Sequence, residues 1–144
     1  MSQNEATAGI NATQIEELYR LARVIAENAY APYSRFRVGA AVLLEDGRIV
    51  TGCNVENASY RLTTCAEQTA IASAVALHGP TIRIRAIVIA NLNGTASQPC
   101  GACRQSIYEF SSANTEVFFP AADGSLTRSI IADLLPNAFL LNEY

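Results

Sequence analysis

The sequence is short of charge, of histidine and of long apolar runs. Only 16% of its 144 residues are charged, for a formal net charge of −3. Its ten basic residues are scattered without a run, so little here would release the counterions of a nucleic acid, which is not expected as the main partner. The longest apolar stretches, such as Val38 to Leu44 and Ala86 to Ala90, fall far short of the roughly 20 residues a membrane helix needs. The opening Met1-Ser2-Gln3-Asn4-Glu5 lacks the basic and then apolar regions of a secretory signal, which points to the cytoplasm. There the four cysteines stay reduced, and a disulfide framework is not expected. Half of the residues are hydrophobic, too many for a disordered chain. The length is that of one domain, read here as 13–144, behind a polar, flexible arm over 1–12.

The coarse pattern is α/β. Thr13 with Glu16 reads as a capping box opening a helix that runs to Ala29 on the apolar face of Ile15, Leu18, Ala22, Ile25, Ala26 and Ala29. Ala31-Pro32-Tyr33-Ser34 stops it. Arg37 to Leu44 and Arg48 to Cys53 flank Asp46-Gly47 as a hairpin. Gly39-Ala40-Ala41 leaves the first strand thin, which fits close approach by a backbone or ligand and equally simple packing against a helix. Helices are expected from Cys65 to Leu77, closed by Gly79-Pro80, and from Cys100 to Phe110. Strands are expected from Ile84 to Ala90 and from Glu116 to Phe119, with a turn at Ala122-Asp123-Gly124 and a short helix from Ser129 to Leu135 stopped by Pro136. The order α-β-β-α-β-α-β-α implies a three-layer sandwich, a mixed β-sheet covered by helices.

Three cysteines stand where helices begin. Cys65-Ala66-Glu67 opens one and Pro99-Cys100-Gly101-Ala102-Cys103 the other. One helical turn brings Cys100 and Cys103 to a single metal, and helix N-termini stabilise thiolates. Zinc suits such a sulfur-rich set. His78 lies at the far end of the Cys65 helix, roughly 20 Å away at 1.5 Å per residue, and cannot share that ion. Cys53, ending a strand, would make a closed four-ligand knot; without it, three ligands and an open position describe a catalytic site. A redox pair at Cys100 and Cys103 is a further reading of C-x-x-C taken alone. Glu67 stands two residues beyond Cys65, placed to accept a proton from a water on the metal without binding the metal itself. A residue that merely complements the helix dipole is the plainer reading of Glu67.

Taken together, these motifs resemble the small homotetrameric cytidine deaminases. The resemblance spans Tyr30 to Phe139. It is carried by Pro32-Tyr33-Ser34-Arg35-Phe36-Arg37-Val38-Gly39-Ala40-Ala41 and Gly52-Cys53-Asn54-Val55-Glu56-Asn57-Ala58-Ser59-Tyr60. Cys65-Ala66-Glu67, Pro99-Cys100-Gly101-Ala102-Cys103-Arg104-Gln105 and Leu134-Leu135-Pro136-Asn137-Ala138-Phe139 complete it. It implies a cytidine deaminase-like fold, one zinc per subunit on Cys65, Cys100 and Cys103, and Glu67 as the proton shuttle. It further implies that Phe36 packs on the pyrimidine, that Asn54 and Glu56 hydrogen-bond the sugar, and that Ala66 lies at the substrate. Tyr60 and Phe139 of neighbouring subunits would close the site. The implied reaction, in pyrimidine salvage, is hydrolysis of cytidine and 2′-deoxycytidine to the uridines with release of ammonia, the activated water adding at C4. Where many members carry arginine after C-A-E, this chain has Gln68, a neutral donor to the ligand sulfur, with helix N-termini offsetting the thiolate charge. A deaminase of a cytosine nucleoside antibiotic of the blasticidin S type, a closed zinc module and a nucleic-acid editing enzyme are the competing readings.

Overall fold

The structure, a computed structural model, describes residues 9–141. Its elements are α1 (Ala12–Ala26), β1 (Val38–Leu44), β2 (Ile49–Cys53), a 3₁₀ turn (Tyr60–Leu62), α2 (Ala66–His78), β3 (Ile84–Asn91), α3 (Gly101–Glu109), β4 (Ser111–Pro120), β5 (Leu126–Ile130) and α4 (Ile131–Leu134). The sheet runs β2-β1-β3-β4-β5. β3 and β4 are parallel, joined through α3, while the other neighbours are antiparallel. The expected mixed sheet is therefore present.

Helices cover both faces. Leu18 and Ala22 of α1 pack with Ala41, Leu43, Ala86, Val88 and Phe118. On the other face Ala70 and Ala74 of α2, Ile107 of α3 and Ile131 of α4 pack with Val42, Ile87, Ile89 and Val117. Strands covered twice have no polar face, which is why β1 is buried along its whole length. The thin stretch in β1 accommodates a helix backbone: a Cβ on Gly39 would stand 1.9 Å from the Ala22 carbonyl oxygen. Gly52 in β2 does the same for α2, where a Cβ would meet the Ala70 nitrogen at 2.3 Å.

Four local expectations change. The capping box of α1 is Asn11 with Gln14, two residues ahead of Thr13 and Glu16, and it forms because the chain dives into the core at buried Ile10. Ile10 donates its N–H to Glu116 Oε1 at 2.7 Å, so the last residues of the expected arm are fastened; residues 1–8 lie outside the described residues. The helix gives way after Ala26 to i→i+3 bonds from Glu27, Asn28 and Ala29, a tightening characteristic of helix ends. The single helix expected over Ser129 to Leu135 is instead strand β5 followed by α4, because Thr127 to Ile130 pair with Glu116 to Phe119.

Candidate active site

The site gathers at two helix starts. Cys65 is the N-cap of α2, with extended backbone (φ −73°, ψ 157°), and Cys100 is the N-cap of α3 (φ −67°, ψ 170°). Pro99 fixes the approach to Cys100, and Cys103 lies buried in the first turn of α3. An N-cap residue is half out of its helix, so each sulfur is free to turn toward the other helix while the amide donors of both first turns remain nearby. The sulfurs of Cys65, Cys100 and Cys103 all lie within 4.8 Å of one another. A tetrahedral zinc with bonds of about 2.3 Å places its sulfurs about 3.8 Å apart, so the cluster fits zinc after sub-ångström adjustment.

The electrostatics of the cluster also call for a cation. A hydrogen bond from Cys103 draws the Cys65 thiol down to about 7, against the desolvation that opposes it. The Cys103 thiol, donating to Cys65 and buried, is pushed up. Cys65 and Cys103 thus hold one negative charge between them readily and resist a second, which a divalent ion would permit.

Cys53 and His78 stand apart from this group. Cys53 lies opposite Gly39 in the hairpin, its thiol pushed up by burial. His78 Nδ1 faces the Arg48 guanidinium at 2.6 Å, at the far end of α2. Among the described residues no four-ligand knot forms, and the closed-module reading loses its fourth donor.

Glu67 is the site's buried carboxyl, only 5% exposed. Burial raises its pKa, while its own backbone amide and the neighbouring Cys103 thiol act the other way. It thus touches one sulfur of the cluster and sits in the first turn of the helix capped by another. Ala66, between Cys65 and Glu67, is buried.

Gln68 serves differently from expectation. Its side-chain oxygen accepts from the Cys65 N–H at 3.1 Å, and its backbone amide completes the capping box at the Cys65 sulfur. The donor to sulfur is therefore main chain, because the side-chain amide is turned to the Cys65 backbone. Arg104, quoted in the motif without a role, donates from Nε to the Pro99 carbonyl at 2.8 Å and from Nη1 to the Leu134 carbonyl at 3.0 Å. Its guanidinium joins the residue ahead of Cys100 to the end of α4. Its place directly after P-C-x-x-C was the available signal.

Phe36 is half-buried against the core beside α2. Asn54 is buried; its Oδ1 accepts from the Val38 N–H at 2.9 Å and its Nδ2 donates to the Phe36 carbonyl at 2.8 Å. One amide hydrogen remains beyond these bonds. Glu56 accepts from the Tyr33 and Ser34 amides at 3.0 and 3.2 Å. A cleft of about 400 Å³ is lined by Tyr33, Ser34, Glu56, Tyr60 and Thr63. The Tyr60 ring meets that of Tyr33 edge-on at 6.3 Å and is 77% exposed. The Phe139 carbonyl accepts from Gln105 Nε2 at 3.1 Å, so the tail folds back on its own α3 while the ring stays 69% exposed.

A three-layer α/β sandwich with a three-sulfur donor set and an adjoining buried carboxyl defines a zinc enzyme. The family described as "Cytidine and deoxycytidylate deaminase zinc-binding region" matches residues 12–119. The chain belongs to that family. It is 44% identical over 125 residues to the cytidine deaminase of Sporosarcina psychrophila, a match covering 87% of this chain and 90% of the relative. The crystal structure of cytidine deaminase from Burkholderia pseudomallei is similar with a TM-score of 0.78 and 43% identity, covering 86% of this chain and 98% of that one. That of the Mycobacterium tuberculosis enzyme gives 0.76 and 40%, covering 88% and 97%.

Proposed function

We propose that this chain deaminates cytidine and 2′-deoxycytidine to the corresponding uridines, releasing ammonia, as a cytoplasmic enzyme of pyrimidine salvage. The observation that carries the reading is Glu67, a carboxyl buried against a cluster of three sulfurs that leaves one position of a tetrahedral ion unclaimed. Cys65, Cys100 and Cys103 hold the zinc, which, when bound, lowers the pKa of a water toward about 7. Glu67 takes the proton that water gives up. Burial raises the carboxyl's hold on that proton, so the same group works as base and then as acid. It places the proton on N3 of the pyrimidine, which makes C4 electrophilic. The water oxygen bonds to C4, Glu67 takes the second proton from that oxygen and delivers it to the N4 amine, and the C4–N4 bond breaks to leave the C4 carbonyl and ammonia.

Phe36 packs on the base, Ala66 borders it, and Asn54 and Glu56 face the sugar. A carboxylate in the sugar cleft favours a nucleoside over a nucleotide, whose phosphate it would repel. It also fits an ordinary nucleoside better than a demand for some specialised antibiotic. Tyr60 and Phe139 are large, exposed rings in a single chain, with Tyr33, Leu62, Leu140 and Leu141 exposed as well. So much uncovered apolar surface supports a homotetramer in which neighbouring copies cover these rings and complete each site. No described helix is long and apolar enough to cross a membrane.

The test is to incubate purified protein with cytidine and measure uridine, ammonia and zinc content together. One zinc per chain with stoichiometric uridine and ammonia is expected. A zinc-loaded protein that forms no uridine overturns the reading.

A further inference from the structure

We propose that Ser34 is a positioning residue that couples the Glu56 carboxylate to the Phe36 backbone, making the base-packing ring and the sugar-facing carboxylate one rigid unit. The inference rests on the nucleoside site described above.

The segment 33–37 links the end of α1 to β1 and turns sharply at Arg35, whose φ of 59° lies in the left-handed region that non-glycine residues rarely adopt. Such a conformation persists only where the flanking groups over-determine it. Here they do. Asn93 Nδ2 donates to the Arg35 carbonyl at 3.2 Å and Asn54 Nδ2 to the Phe36 carbonyl. On the other side Glu56 accepts from the amides of Tyr33 and Ser34.

The remaining connection is the Ser34 hydroxyl. It donates to Glu56 Oε2, and its oxygen accepts from the Phe36 N–H at 3.0 Å. A serine hydroxyl has one proton to give and lone pairs to receive with, and both capacities are in use. Among the described residues it is the one side chain bonded both to Glu56 and to Phe36. Donation from Ser34 also keeps the Glu56 carboxyl below the usual carboxylate range, so the charge that anchors the turn persists. Removing the hydroxyl leaves the Phe36 amide without this acceptor and takes one of three donors from Glu56. The ring and the carboxylate then shift independently, and substrate has to order them on binding.

Groups that grip base and sugar equally before and during the reaction contribute uniform binding, so their disorder raises KM and spares kcat. Zinc-loaded Ser34→Ala is therefore expected to raise the KM for cytidine about tenfold, the scale of a charge-assisted hydrogen bond, with kcat within about twofold. Binding of uridine, measured calorimetrically, should weaken by the same factor. Ser34→Thr, which keeps the hydroxyl, should restore most of both. In a Glu56→Gln background Ser34→Ala should cost less than in the wild type, because the partner charge is already gone.

An unchanged KM in Ser34→Ala, a loss confined to kcat, or equal costs in both backgrounds overturns the coupling. Should Ser34→Ala fail to fold, Ser34→Thr and Ser34→Cys decide: Thr must keep near-normal KM while Cys, a weak donor, raises it, and the opposite order overturns the proposal. A wild-type protein that neither turns over cytidine nor binds uridine overturns the nucleoside site itself, and Ser34's role with it.

Discussion

Replacing Gly52 with alanine should disable the metal site from the far side of a helix. Its added Cβ would stand 2.3 Å from the Ala70 nitrogen, 2.7 Å from the Ala70 Cα and 2.8 Å from the Thr69 carbonyl carbon. All three are backbone atoms of α2, so no rotamer change can relieve the clash. Restoring ordinary contact at 3.4 Å means displacing that helix by about 1 Å. Cys65 and Glu67 ride at the start of α2, whereas Cys100 and Cys103 belong to α3. Metal bonds tolerate about 0.2 Å, and an ångström of misplacement at a reacting group can cost about a hundredfold. Overpacking of this kind costs about 1–3 kcal/mol, and the upper end applies to a backbone clash. For a chain of this size each kcal/mol moves the melting temperature by about 3 °C, giving a loss approaching 9 °C. Thermal denaturation and zinc per chain after dialysis measure the two effects. Gly101→Ala is the control, since nothing lies within 4 Å of its Cβ and alanine favours a helix start. A Gly52→Ala protein that keeps its zinc and melts with the wild type would refute the reasoning.

Other perturbations follow from the same contacts. Glu67→Gln should keep zinc and fold while losing about 10²–10⁴ in kcat; retained turnover rejects the proton-shuttle role. Because burial raises the Glu67 pKa, the folded chain binds that proton more tightly than the unfolded one, whose carboxyl titrates near 4.5. The stability this confers is full below 4.5 and is lost as pH rises toward the folded value. Zinc-stripped Glu67→Gln should accordingly melt above the wild type at neutral pH, with the gap closing as pH falls toward 4.5 and changing no further below it, and a pH-independent gap contradicts this. Arg128→Ala strips buried Glu116 of its ion-pair partner and should cost about 1–3 kcal/mol in denaturant unfolding, whereas no loss would mean that the Ile10 amide suffices. Glu67→Ala and Phe139→Ala chains, each inactive alone, should recover activity in about a quarter of sites when refolded as mixed tetramers; mixed tetramers without recovery reject sharing between subunits.

The sheet's interior strands and the helix starts were legible because their signals are local. Ile84 to Ala90 has no polar position to face water, and Pro99 announces the helix that Cys100 caps. β5 was hidden for the opposite reason. Leu126-Thr127-Arg128-Ser129-Ile130 carries little alternation of its own and is a strand because Glu116 to Pro120 offers it a ladder. The start of α1 reads two residues late, at Thr13/Glu16, because Asn11/Gln14 satisfies the capping pattern equally and only the burial of Ile10 selects it. At the site, residue types revealed the sulfurs and Glu67. They could not reveal that Asn54 and Glu56 spend polar atoms on the backbone around Phe36, because the partners are main-chain groups that look alike at every position.

That the sulfurs come from the caps of two separate helices has a topological consequence. Cys65 and Cys100 enclose roughly 35 residues that include all of α2 and β3, and an ion shared between them closes this stretch into a ring. If the ion also stays with the unfolded chain, the ring restricts that chain much as a disulfide would, by about 4 kcal/mol from loop-closure entropy alone. In a reducing compartment, where disulfides are unavailable, a metal clip is a durable way to obtain such a restraint. Loss of the ion then loosens the chain's knot as well as its chemistry, and inactive protein becomes the species most readily unfolded and cleared.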